Sequence, residues 1–185
     1  GLLTDEYKKY VKADFYSSKD GYKQEIKIRY RGLQQNNWER EKKAFRVKFP
    51  SENLFKGMSS LNLFIPDDRS YFSEALDSYR AKKFGLLAAD FEFVRVRING
   101  RDAGVYLASE PWSSEYLAKR DVVDSNNILS TEDNTEEGSL GIYNGWKSYT
   151  AEVETGPFEE LQALSELVFR ADDKTFAENI DNLVD

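Results

Sequence analysis

Between Ile26 and Phe49 the chain alternates apolar and cationic residues, a pattern that extended strands use and helices do not. In the first run Ile26, Ile28 and Tyr30 fall on one face, and Lys27, Arg29 and Arg31 on the other. In the second, Phe45, Val47 and Phe49 oppose Arg46 and Lys48. A helix would scatter both sets around its axis. The stretch is therefore expected to form two strands joined by a Gln/Asn-rich loop, with an apolar face for a core and five cations on the polar faces. Those cations either hold an anion or form the solvated exterior of half-buried strands. Periodicity leaves both open.

The flanking sequence extends the same design. Tyr7–Ser17 reads as a strand, and Asp20-Gly21 is a hairpin signal leading into the strand at 22–31. Pro50 ends the strand at 44–49, and a turn at Lys56-Gly57 precedes an apolar strand, Leu61–Ile65, that ends at Pro66. A helix is expected over about 68–84, with Asp68 as its N-cap, Lys82 and Lys83 in the last turn and Gly85 as its stop. Phe72, Leu76, Tyr79 and Phe84 supply its packing stripe. The segments 91–98 and 103–110 flank Asn99-Gly100, which supplies the positive φ angles of a tight hairpin.

After Pro111 a short helix is expected from Ser113 or Ser114, then a strand over Asn127–Ser130 and an exposed acidic loop containing Glu136 and Glu137. A helix after Pro157 would bury Phe158, Leu161, Leu164 and Val168. A second, from Thr175, carries Phe176, Ile180 and Leu183, and the sequence stops inside it as a cut chain would. Antiparallel strands with one helix between the fourth and fifth describe an α+β domain, a mostly antiparallel sheet with a packed helix.

The chain has 185 residues and contains neither cysteine nor histidine, which removes disulfides, thiolate nucleophiles, Cys/His zinc sites and imidazole catalysis. Chemistry must use carboxylates, Lys/Arg, hydroxyls or an oxygen-held metal. Charge is polarised: residues 1–100 hold 20 Lys+Arg against 14 Asp+Glu, and residues 101–185 hold 6 against 19. That division suggests an anion-binding first half and a second half that is solvated or binds cations or a basic partner. A sequence pI near 4.9 disfavours a nucleic-acid partner. No apolar run reaches the ~18 residues of a membrane span, and the first residues, GLLTDEYKKY, lack a signal-peptide pattern.

Several residues are candidates for chemistry. Lys48 on a strand followed by Glu74 on the next helix matches the way a nucleotide-binding Lys is held by a helix carboxylate, a pairing many α+β chains also reach by chance. The loop RGLQQNNW can offer backbone N–H groups and amides to phosphate oxygens, or be a polar hairpin loop. Glu110-Pro111-Trp112 ends the last strand, where a two-lobed nucleotide enzyme places its hinge. Asp67-Asp68 reads as a helix cap and Glu136-Glu137 as a solvated loop, so no metal ligand is assigned.

Together these residues carry a resemblance. Arg31-Gly32, Lys42-Lys43-x-Phe-Arg-Val-Lys-Phe, Leu61-Asn62-Leu63, Asp68-x-Ser70 and Val96-x-Ile98-Asn99-Gly100-x-x-x-Gly104-Val105-Tyr106-Leu107-x-x-Glu110 occur in order, and over residues 25–120 the chain resembles the CotH family of spore-coat protein kinases.

The resemblance implies the N-terminal part of an atypical protein kinase fold, which takes ATP with Mg or Mn and phosphorylates Ser/Thr of spore-coat or cell-surface proteins. It assigns Arg31, Gly32, Gln34 and Gln35 to the phosphate loop, Lys48 and Lys43 to phosphate contacts, Glu74 to orienting the Lys, and Glu110 to the hinge. It divides the chain into a nucleotide-facing portion, 1–156, and the start of a helical portion, 157–185. LQQNN replaces the family's small hydroxyl residues, and Ser73 stands where an Arg is usual. The catalytic and metal-binding Asp segments have no counterpart before Asp185, so a fragment that transfers no phosphate and binds nucleotide weakly at best is expected. The alternative is a non-catalytic binding or structural module of a coat or surface. Oligomeric state is left open.

Overall fold

The computed structural model describes residues 8–32, 40–122, 129–131, 146–148 and 159–183. The chain divides into two compact units, Gly1–Pro111 and Trp112–Asp185. The functional division expected at 156/157 lies outside the described residues, as do Gln34, Gln35, Glu136, Glu137 and Phe158.

The first unit is a curled six-stranded sheet. Its strands are β1 (Val11–Tyr16), β2 (Lys23–Tyr30), β3 (Phe45–Lys48), β4 (Ser60–Phe64), β5 (Phe91–Ile98) and β6 (Arg101–Ser109). They lie in the order β1-β2-β3-β4-β6-β5, and every pairing is antiparallel. Each hairpin turn uses the residue type that tolerates it: Asn99 and Gly100 adopt φ of 51° and 78°, as their sequence demands.

The apolar face of the sheet holds the core. Ile26, Val47, Phe49, Leu61, Leu63, Tyr106 and Ala108 are buried there, and Phe55 joins them from the connection after Pro50. That connection folds back through Lys56 and Gly57, both at positive φ, so the ring of Phe55 reaches Phe15, Tyr22 and Phe49 at centroid distances of 5.2, 5.1 and 5.2 Å. The Tyr22 hydroxyl donates to the Asn53 carbonyl at 2.6 Å, which fastens the same connection from its polar side.

The helix differs from expectation at its start and on its face. Pro66–Arg69 is one turn of 3-10 helix, and Ser70 and Tyr71 follow at φ of 48° and 59°. Their left-handed backbone lets the Tyr71 N–H close on the Pro66 carbonyl at 2.7 Å and ends the helical path. Helix α1 therefore spans only Ser73–Lys83, and Asp68 is not its cap; Phe72 occupies that position without a side-chain cap bond.

Nor does the expected stripe pack. Phe72, Leu76, Tyr79 and Phe84 are all exposed, Phe84 by 83%. The inward face is instead built from Ala75, Ser78 and Ala81, with Ser78 buried and its hydroxyl donating to the Ala89 carbonyl. Small side chains allow the helix backbone a close approach, a choice periodicity of large apolar residues does not reveal.

In the second unit α2 (Ser114–Ala118) is capped by Ser113, whose hydroxyl accepts the Tyr116 N–H at 3.1 Å, and it buries Tyr116 and Leu117. Strand β7 (Leu129–Thr131) pairs with β8 (Trp146–Ser148), a strand the sequence reading did not anticipate. Helix α3 (Glu159–Arg170) buries Leu161, as expected, together with Ser165 and Leu167, and leaves Val168 exposed, contrary to expectation. Helix α4 (Asp173–Asn179) begins two residues before Thr175, because the Asp172 carboxylate accepts the Thr175 N–H at 2.7 Å. A 3-10 turn, Ile180–Asn182, follows. No helix among the described residues is long and apolar enough to cross a membrane.

Candidate functional site

Antiparallel register turns the alternation of the sequence into a two-dimensional array. Arg29 lies opposite Arg46, Arg46 opposite Asn62, and Asn62 opposite Ser109, giving one row across β2, β3, β4 and β6. Directly opposed residues share a face of the sheet. The neighbouring row on that face holds Lys12, Lys27, Lys48 and Ser60. The polar face thus carries the cations of three strands together.

The first row grades from half-buried, at Arg29 and Arg46, to enclosed. Asn62 and Ser109 are buried, and so is Glu110, the residue after β6. Arg46 is half-buried and its Nε donates to Asn62 Oδ1 at 2.9 Å, which fixes the guanidinium beside the strand centre. Such a bond leaves the arginine its full charge.

A second group gathers where β2 meets the connection to β3. The Arg31 N–H donates to the Ala44 carbonyl at 2.9 Å, extending the ladder by a residue, and Gly32 then turns away at φ 114°. The guanidinium carbons of Arg31 and Arg69 lie 4.3 and 4.5 Å from the centroid of the Phe64 ring, both in cation–π range. Arg69 also pairs with Glu74 of α1. Arg31, Phe64, Arg69 and Glu74 therefore form one continuous contact from the phosphate-loop candidate to the helix.

The candidate residues distribute unevenly over these two groups. Glu74 is held by Arg69, not by Lys48, because the 3-10 turn delivers Arg69 to it while Lys48 stands in a row that β4 separates from α1. The Lys48 ammonium lies 5.0 Å from the Tyr10 ring, which the Arg29 guanidinium also faces at 5.2 Å. Lys43 donates to the Arg40 carbonyl. Arg31 and Gly32 sit together at the end of β2, and Glu110 is buried at the end of β6.

Arg46, Arg69, Asn62 and Tyr10 were absent from the candidate set. The alternation already put Arg46 on the polar face, and register makes it central. Arg69 had no sequence signal, since the break at Ser70-Tyr71 that aims it is a matter of backbone conformation.

Two groups outside these rows titrate away from their ordinary values. Arg95 hydrogen-bonds Asp102, and the Gly104 N–H donates to the same carboxylate, so its pKa falls from 3.8 to about 2. Desolvation lowers that of Lys42, whose ammonium lies 4.3 Å from the Tyr106 ring and donates to the Val105 carbonyl. Among the described residues no group of three or more carboxylates is placed to hold a metal ion. The cations of β2 and β3 are chemically suited to an anion.

Comparison with known proteins adds two findings. A family model described as CotH kinase protein matches residues 28–185. Inner spore coat protein H of Bacillus subtilis (strain 168) is 26% identical over 151 residues, a match that takes in 79% of this chain. It covers 41% of the relative, so the chain spans less than half the length of that protein.

Proposed function

The chain belongs to the CotH family, and from that premise we propose that it supplies the nucleotide-facing wall of a spore-coat protein kinase that transfers the γ-phosphate of ATP to Ser/Thr hydroxyls of coat proteins. The observation that carries the reading is the row Arg29–Arg46–Asn62–Ser109, which leads from the cations of β2 and β3 to the buried Glu110. Arg31, Gly32 and the amides of Gln34 and Gln35 would cradle phosphate oxygens; Lys48, Lys43 and Arg46 would neutralise their charge. Backbone groups beside Glu110 would read the base edge.

Neutralisation by preorganised cations stabilises charge that develops during phosphoryl transfer, and positioning accounts for most of what a protein contributes to that reaction. A divalent ion would supply the remaining charge. The kinase reading also places the protein in a spore coat, as the name of the relative suggests.

One observation favours a competing reading, a non-catalytic module that uses the same cations to hold a partner: Glu74 is engaged by Arg69 and leaves Lys48 to Tyr10. Calorimetric titration with ATP plus Mg or Mn separates the two. The kinase reading expects saturable nucleotide binding that weakens by about tenfold in Lys48→Ala or Arg46→Ala, about 1.4 kcal/mol each. Binding that is absent, or indifferent to both substitutions, would leave the module reading.

A further inference from the structure

Alternation along β4 puts Leu61 and Leu63 in the core and sends Asn62 and Phe64 to the opposite face of the sheet. Phe64 is therefore an aromatic ring on the face that carries the cations of β2 and β3, and it is only 8% exposed. Part of its cover is charged. The guanidinium carbons of Arg31 and Arg69 stand 4.3 and 4.5 Å from its centroid. The first reaches it across β3 from the end of β2, the second from the 3-10 turn that follows β4.

Each arginine is held a second time. The Arg31 N–H donates to the Ala44 carbonyl at 2.9 Å, so its backbone is fixed to the residue before β3 while its side chain rests on the ring. Arg69 pairs with Glu74 in the first turn of α1. The ring has little room to turn away, because it packs beside Phe91 at a centroid distance of 6.5 Å and stands on a strand bonded along both edges. Two cations that share such a ring are not set independently: a displacement of one changes the surface on which the other rests.

An aromatic partner also differs chemically from an acidic one. A carboxylate at position 64 would hold Arg31 by neutralising it, whereas a ring orients a guanidinium through its quadrupole and supplies no counter-charge. The carboxylate of this group, Glu74, pairs with Arg69. We propose that Phe64 is a positioning residue: through it helix α1, by way of Glu74 and Arg69, sets the orientation of the Arg31 side chain. That the oriented cation serves a phosphate rests on the nucleotide reading above; the coupling itself does not.

The test reads the Arg31 side chain directly, from its Nε–H signal in proton–nitrogen correlation spectra, identified by its loss in Arg31→Lys. Glu74→Ala is expected to shift that signal in the otherwise unchanged protein, and to leave it in place once Phe64→Leu has removed the ring. An Arg31 signal that ignores Glu74→Ala overturns the proposal. So does one that moves equally in both backgrounds, since the coupling would then bypass the ring. Circular dichroism and the thermal midpoint establish that each variant is folded; should Phe64→Leu fail to fold, Arg69→Met interrupts the same path and should abolish the response to Glu74→Ala.

Calorimetry with ATP plus Mg separates this inference from the nucleotide reading. Where ATP binds, Phe64→Leu should weaken it by about fivefold, and adding Glu74→Ala should weaken it no further, because both act through one contact. Losses that multiply would mean that the two residues act separately, and would overturn the proposal. If the unaltered protein binds no ATP while the Arg31 signal still follows Glu74 through the ring, the nucleotide reading falls and the positioning of Arg31 stands. ATP binding with an indifferent Arg31 signal is the reverse, and removes the positioning role alone.

Discussion

At the scale of single residues, geometry reassigned partners without changing the residues of interest. Glu74 was expected to hold Lys48 and holds Arg69 instead. A double-mutant cycle reads this directly: Glu74→Gln and Arg69→Met should couple by about 0.5–1 kcal/mol, the modest size of a pair still about one-third exposed, while Glu74→Gln and Lys48→Met should be additive. Asp102 makes a second prediction. Its pKa is depressed from 3.8 to about 2, so in that window the unfolded chain binds more protons than the folded one, and stability falls as pH falls. Above pH 4 the contribution is complete. Acid unfolding followed by circular dichroism should show a shallower slope between pH 4 and 2 in Asp102→Asn, by a small margin because the pair is exposed.

At the scale of elements, strand existence followed from alternation and turn residues, while the helix face did not follow from its large apolar residues. Substituting Leu76 or Phe84 by Ser should change stability by no more than about 0.5 kcal/mol, because both already face water. Leu107→Ala, at a position with 0% exposure, should cost about 2–5 kcal/mol in urea denaturation. Gly104 sits at φ 81° with the Lys42 ammonium 3.4 Å from where a Cβ would stand, so Gly104→Ala should cost about 1–3 kcal/mol by the same measurement. The strand pattern was legible because alternation reports which face is buried. The helix pattern was not, because Ala75, Ser78 and Ala81 pack inward by being small, and smallness carries no periodic hydrophobic signal.

At the scale of the whole molecule, binding to the polar face should be electrostatic in character: ATP affinity is expected to fall steadily as NaCl is raised through the range where the Debye length shrinks from ~10 to ~3 Å. A salt-independent affinity in calorimetry would place the nucleotide elsewhere. By itself the sequence determined the antiparallel sheet, its hairpins, the absence of Cys/His chemistry and the presence of cations on one face of two strands, since each depends on neighbours along the chain. Family motifs were legible for the same reason: Arg31-Gly32 and the Asn99-Gly100 to Glu110 hairpin are local. Only the tertiary structure decided which cations stand together. Strand order and register set Lys12 beside Lys27 and Lys48, and the left-handed pair Ser70-Tyr71 aimed Arg69 at Glu74. Turn residues fix register within a tight hairpin, but across longer connections such as that from β2 to β3 the spacing within one strand does not set its register against the next.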